Sequence, residues 1–190
     1  MSSIVEICNM GLVLIGDQTI TALTDSNDRA TVASTFYEPT RDAVLRAHPW
    51  GFAKTRVALA MAAGTPNSNK YSYHFTLPTS PKCLRVLEVE EDYPGQIPYS
   101  VEARKLLCND SSISILYVAQ VTDSGLFDAL FTDALAARLA MAFAMALTKQ
   151  KTLIELAAKV YEMKINEART MDGLESTPKE IYNDTLLRGR

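Results

Sequence analysis

Along the first quarter of the chain, apolar positions recur at intervals of three and four, the period of a helix that buries one stripe. The opening stripe is Ile4, Ile7, Cys8, Gly11, Leu12 and Ile15, followed by Gly16-Asp17. Glycine is the usual helix stop, so a helix is predicted over 3–15. Residues 18–23, rich in Thr and Ile, read as an extended connector. A second stripe runs through Ala30, Ala33, Phe36, Tyr37, Thr40, Val44 and Ala47, with Asp25, Ser26 and Asn27 offering N-cap oxygens. It predicts a helix over 26–47. Pro39 removes a backbone donor inside that helix and should bend it near Thr35. Pro49 biases His48 away from helical angles and ends it.

From about residue 50 to 120 the pattern shortens. Runs at 71–77, 83–89, 99–106 and 113–118 are rich in β-branched and aromatic residues. Turn signals separate them at Thr65-Pro66-Asn67, at 78–81, at Tyr93-Pro94-Gly95 and at Asn109-Asp110, which predicts an antiparallel meander or sandwich. Within 83–89, Cys83, Arg85, Leu87 and Val89 alternate with Leu84, Val86 and Glu88, as expected of a strand with two distinct faces. The polar stretch 64–70 reads as a loop.

Helical spacing returns after Ser124-Gly125 and predicts a helix over 125–148 that is apolar almost all round, hence buried on most sides. Its many alanines permit close helix–helix approach. Thr152 with Glu155 fits a capping box for a last helix over 152–171. Leu153, Leu156, Ala157, Val160 and Met163 are expected inward; Lys159, Glu162 and Glu167 outward, with Glu155–Lys159 as a supporting pair. The short connection between these two helices forces an antiparallel hairpin. Beyond Gly173, residues 174–190 carry Pro178 and scattered anchors, and read as an extended arm. The predicted class is therefore α+β. One domain, 1–173, is a bundle of about four helices with an antiparallel β region inserted between the second and third.

Composition adjusts this picture little. With 47% hydrophobic and 22% charged residues the chain is that of an ordinary soluble protein. A net charge of −3 without a Lys/Arg cluster argues against a dedicated nucleic-acid binder. Cys8, Cys83 and Cys108 are odd in number and widely spaced, which suits buried free thiols in a reducing compartment. No signal peptide is evident after Met1, and the most apolar run, 139–147, is shorter than a bilayer requires. The chain is expected to stay inside the cell that makes it, and no large apolar patch for self-association is expected.

The search for chemistry yields little. Gly64 through Tyr71 faintly echoes a phosphate-binding loop, but Asn69 replaces its second glycine and Tyr71 its final hydroxyl residue. His48 is expected to cap a helix end or contact a neighbour, and His74 to face a polar edge. Glu88, Glu90, Glu91 and Asp92 would supply a carboxylate pair for glycoside hydrolysis, or simply a solvated hairpin tip and a protected strand edge. Trp50 and Phe52 read as core packing where the chain turns into the sheet. No catalytic, cofactor or metal site emerges.

One block is more specific. Arg41-Asp42-Ala43-Val44-Leu45-Arg46-Ala47-His48-Pro49-Trp50-Gly51-Phe52-Ala53 resembles the tail tubular protein A family of short-tailed bacteriophages, also called head–tail adaptors or gatekeepers. Asn9, Leu12 and Ile15-Gly16 before it, and Leu77-Pro78, Arg85-Val86, Leu116-Tyr117 and 127–140 after it, fall in the family's order. The resemblance covers roughly 3–172. It implies a non-enzymatic virion protein of the head–tail junction, assembled in the host cytoplasm without a membrane or cofactor. Subunits form a ring, typically of twelve, beneath the portal protein ring; the ring extends the DNA channel and supports the tail tube or nozzle. Arg41, Asp42, Pro49, Trp50 and Phe52 are then a structural signature turn. Ile181, Tyr182, Leu186, Leu187, Arg188 and Arg190 are candidate contacts of the arm with portal or a neighbouring subunit. Twelve copies would carry about −36, a wall from which DNA phosphates slide without sticking. The alternatives are a tail-associated peptidoglycan hydrolase, because some proteins in the same adaptor position are assigned that activity, and an assembly chaperone that leaves the virion.

Overall fold

The structure, a computed structural model, describes residues 3–64, 66, 68–90 and 97–175, the side chain of Glu90 excepted. The arm residues Ile181 to Arg190, together with Glu91, Asp92 and the turn at Tyr93-Pro94-Gly95, lie outside the described residues. The elements are α1 (Ile4–Leu14), α2 (Asp28–Ala47), β1 (Lys54–Ala58), β2 (Tyr73–Thr76), β3 (Cys83–Glu90), β4 (Ser100–Glu102), β5 (Lys105–Cys108), β6 (Ser114–Ala119), α3 (Ala129–Phe143) and α4 (Lys151–Leu174). The fold is α+β, with four helices among the described residues and the β region between α2 and α3, as the periodicity predicts.

Helix ends follow local chemistry. Glu6 N donates to Ser3 Oγ at 3.2 Å and Ser3 N to Glu6 Oε2 at 2.6 Å, a reciprocal capping box that opens α1. At its other end Gly16 (φ +74) lets Asp17 N reach Leu12 O at 3.0 Å and Gly16 N reach Val13 O at 2.9 Å. That pair of bonds satisfies carbonyls a helix end would leave open. Asn9 then pins the connector through both backbone groups of Ile20, at 2.8 and 2.9 Å. Asn27 caps α2, which continues through Pro39 to Ala47.

The C-terminal helices depart from expectation in three ways. The third helix starts at Ala129, later than predicted, because Asp128 accepts from Leu130 N and Phe131 N at 2.8 and 3.2 Å and so fixes the start there. It passes into a wider π turn, Ala144–Thr148, and stops at Lys149, whose φ is 55°. The capping box at Thr152 does not form: α4 begins at Lys151 after Gln150, and Glu155 lies 3.8 Å from Lys151. The helix also runs through Gly173 to Leu174, because a tertiary contact of Asp172 holds its last turn.

α3 is the centre of the bundle and packs against α1, α2 and α4. Ile7, Leu12, Tyr37, Leu45, Trp50, Phe131, Leu135, Leu139 and Phe143 are buried together. Small residues let the helices approach closely. A Cβ on Gly11 would sit 3.1 Å from both Ala136 O and Phe143 Cε2 of α3. The hairpin is antiparallel: Lys164 reaches Asp133 at 3.2 Å, and the Arg138 guanidinium lies 5.1 Å from the centre of the Tyr161 ring. α4 keeps part of the predicted face, since Ala157 is buried and Leu153 packs against the core, but its stripe is shifted. Ala157, Ile165 and Ala168 are its buried stripe, whereas Leu156 and Met163 are 55% and 65% exposed. Against the alanine-rich surface of α3, small side chains give the closer fit.

The β region forms two three-stranded antiparallel sheets, β1-β6-β3 and β2-β5-β4. β1 is an element the sequence did not announce. The single run expected over 99–106 is instead two strands, β4 and β5, joined at Ala103 and Arg104 with φ of 45° and 61°. Left-handed angles at two consecutive positions normally call for Gly or Asn, so no turn signal was visible. β3 also breaks its simple alternation. Cys83 pairs with Ala119, Arg85 with Val118, Val86 with Tyr117 and Glu88 with Leu116, so Leu84 and Leu87 are extra residues at two bulges. Each bulge flips the face. Leu84 and Leu87 join the helical core, while Cys83, Val86 and Val89 turn the other way. There they meet a second core built on Phe75, Leu106, Ile115 and Tyr117.

Candidate functional site: a buried junction and three open faces

The block Arg41–Ala53 forms a junction between elements, with Arg41, Val44, Leu45, Trp50 and Ala53 buried and Ala43, Arg46, Ala47 and Gly51 exposed. Near the end of α2, the Arg41 side chain is only 4% exposed. Its Nε and Nη2 donate to Asp42 Oδ1 at 3.0 and 2.9 Å, and its guanidinium lies 5.9 Å from the centre of the Tyr37 ring. Asp42 Oδ2 accepts from Gln120 Nε2 at 2.6 Å, which ties α2 to the residue just after β6. A buried cation is tolerable only when paired and hydrogen-bonded in this way. Tyr37 OH is buried without a hydrogen-bond partner, and burial pushes its pKa up to about 12. Burial does the same to the Cys8 thiol, also to about 12. A thiol held protonated in this way is a poor nucleophile.

The turn after α2 is an aromatic cluster. Trp50 Nε1 donates to Val44 O at 3.0 Å and so closes the helix end. The indole meets His48 edge-on at 4.7 Å and Phe131 at 5.1 Å, and stacks on Phe52 at 6.4 Å. Phe52 in turn contacts Phe127 and Phe131. Asp172, at the far end of α4, completes the junction: His48 Nε2 lies 2.9 Å from Oδ2, and Gly51 N donates to Oδ1 at 2.7 Å. Sequence reasoning missed Asp172. An acid in a last helical turn, 121 residues from its partner, leaves no local signal. The block thus makes two separate sets of contacts, Arg41 and Asp42 with Tyr37 and Gln120, and Trp50 and Phe52 with the ring cluster, with Pro49 between the ring pair His48 and Trp50.

The remaining chemical candidates do not assemble. His74 is buried, with Nε2 3.2 Å from Ala63 O, and does not face a polar edge. Ser68 Oγ accepts from Lys70 N and Tyr71 N at 3.1 and 3.3 Å, so the echo of a phosphate loop closes on itself, and strand β2 follows where a helix is required. All three cysteines are buried and none forms a disulfide. Among the described residues no group of three or more His, Cys, Asp or Glu side chains is placed to hold a metal ion.

Three open faces stand out among the described residues. Val13 and Leu14 of α1 are 59% and 50% exposed, Leu14 shares a cleft with Leu156 of α4, and Met163 of α4 is also exposed. Val160 lines the same cleft. The sequence reading, which expected no large apolar patch, did not anticipate these exposed side chains. A second apolar cleft, of about 440 Å³, is lined by Phe36, Met141, Met145 and Ile154. The third, of about 290 Å³, lies among β3, β4 and the end of α2, and gathers Arg46, Arg85 and Arg104 around Tyr99 and Val101.

Fold and junction together define an α+β domain whose most specific sequence block is scaffolding. Comparison with protein-family models and with curated protein sequences found no match.

Proposed function

We propose that the chain is a structural subunit of a phage head–tail junction, assembling as a ring that binds the portal, continues the DNA channel and carries the tail tube or nozzle. One observation carries this reading. Residues of the block that bears the resemblance, Asp42, Trp50, Gly51 and Phe52, connect α2 with α3, α4 and the sheet, around buried Arg41, Val44, Leu45 and Trp50. A block of that kind is the framework of a shape, and a shape is what a ring subunit contributes. The apolar face of α1 and α4 adds support, because a patch of this kind marks an interaction surface and the neighbouring copy in a ring would cover it.

The decisive experiment mixes the purified chain with portal rings and measures the mass of the product by light scattering, followed by electron microscopy of the complex. The expected result is a monomer or small oligomer alone and a closed ring on the portal. A stable ring without portal, or no binding, would overturn the reading. Mass spectrometry of purified virions separates it from the chaperone, which would be absent. A zymogram separates it from the hydrolase.

A further inference from the structure

The arginine cleft has a property that scaffolding does not require. In a chain of net charge −3, Arg46, Arg85 and Arg104 share one cleft, and none has a carboxylate partner among the described residues. Arg46 donates to Leu84 O, and Arg104 to Pro78 O at 3.0 Å. Both bonds orient the guanidinium groups and leave their charge unneutralised. Cys83 lines the same cleft; burial raises its thiol, and Arg104 and Arg46 oppose that rise. Like charges held together repel, and an anion relieves that repulsion.

The backbone around the cleft narrows the kind of anion. β3 is the outer strand of one sheet and β4 the outer strand of the other, and residues of both line the cleft. Outer strands present unpaired backbone donors and acceptors, which an extended peptide satisfies by adding as a further strand. Tyr99 and Val101 supply apolar surface for alternate side chains. Arginine's planar fork matches carboxylates in two-pronged fashion. Duplex DNA fits poorly, because a cleft of about 290 Å³ admits side chains and not a helix of that width. Arg104 itself sits at φ 61°, next to Ala103 at 45°. Asparagine or glycine would be less strained there, so an arginine at this position carries a cost that a binding role explains.

We propose that this cleft binds an acidic, extended peptide segment of a partner protein, its backbone running along β4 and its carboxylates meeting Arg46, Arg85 and Arg104.

The test uses the intact chain and a fluorescein-labelled peptide alternating Glu and Val, read by fluorescence anisotropy. Controls are the same peptide with Gln for Glu and a single-stranded oligonucleotide of matching charge. The Glu peptide is expected to bind at least about tenfold more tightly than the Gln peptide, with an affinity that falls as salt rises. Arg85→Glu and Arg104→Gly should each weaken it about tenfold, while Lys159→Glu, on the exposed side of α4, should not. Arg104→Gly is the informative variant. It removes backbone strain, so its melting temperature should be unchanged or higher, and lost binding cannot then be blamed on misfolding. Equal binding of the Gln peptide, tighter binding of the oligonucleotide, or undiminished peptide binding by Arg104→Gly would each overturn the proposal.

Discussion

Asp172 shows how much one side chain can hold. Each carboxylate oxygen serves a different partner, His48 and the backbone of Gly51. Removing it leaves the half-buried His48 ring without its partner and returns the exposed Gly51 N–H to water. Asp172→Ala is therefore expected to cost about 1–3 kcal/mol, and Asp172→Asn less, because the amide keeps one acceptor; urea midpoints of the two variants check this order. Cys8 and Tyr37 make a prediction about pH. Their pKa values rise from 9.0 and 10.0 to about 12 on folding, so at alkaline pH the unfolded chain binds fewer protons than the folded one. Stability should be fully present below pH 9 and fall as pH climbs toward 12. Cys8→Ala should flatten the first part of that decline, as measured by urea unfolding at a series of alkaline pH values. An unchanged slope would show that the thiol ionises freely in the folded state.

At the scale of elements, α3 is the member on which the others depend. Leu139→Asp or Phe143→Asp would bury an unpaired charge at a fully enclosed position and should cost several kcal/mol, enough to unfold a marginal domain. A melting temperature like that of the parent chain would refute the central role of this helix. Gly11 is a finer probe. Alanine there gains about 1 kcal/mol of helix propensity, offset by contacts at 3.1 Å with the backbone of Ala136 and the ring of Phe143, so little net change is expected. Isoleucine gains less propensity and adds far more bulk, so it should cost about 1–3 kcal/mol through overpacking; thermal melts of both variants settle the order. The helices were legible because their stripes repeat over many residues. The shift of the α4 stripe was not, because which apolar face wins depends on the alanines of a different helix. β3 was placed correctly but misread in detail, since its two bulges displace Leu84 and Leu87 from a period of two. The turn between β4 and β5 was invisible for want of glycine, and the Asp172 contact because no local pattern encodes a partner so distant in sequence.

For the whole molecule, the proposed ring makes the face of α1 and α4 the place to interfere. Leu14→Glu or Met163→Glu lies on exposed positions, so the isolated subunit should keep its stability while ring formation on portal is lost; ultracentrifugation with and without portal separates these outcomes. A truncation at residue 175 addresses the arm that the sequence suggests. Portal retention in a pull-down should weaken, and undiminished retention would remove the arm from the proposal. The sheet holding β3 carries one further consequence. It is a party wall: Leu84 and Leu87 furnish one room, Cys83, Val86 and Val89 the other. Neither room can be emptied without stripping a surface of its neighbour, so heat should find no weaker half to melt first. A calorimeter should record one cooperative endotherm for the helical and β regions together, although the eye divides them readily into two.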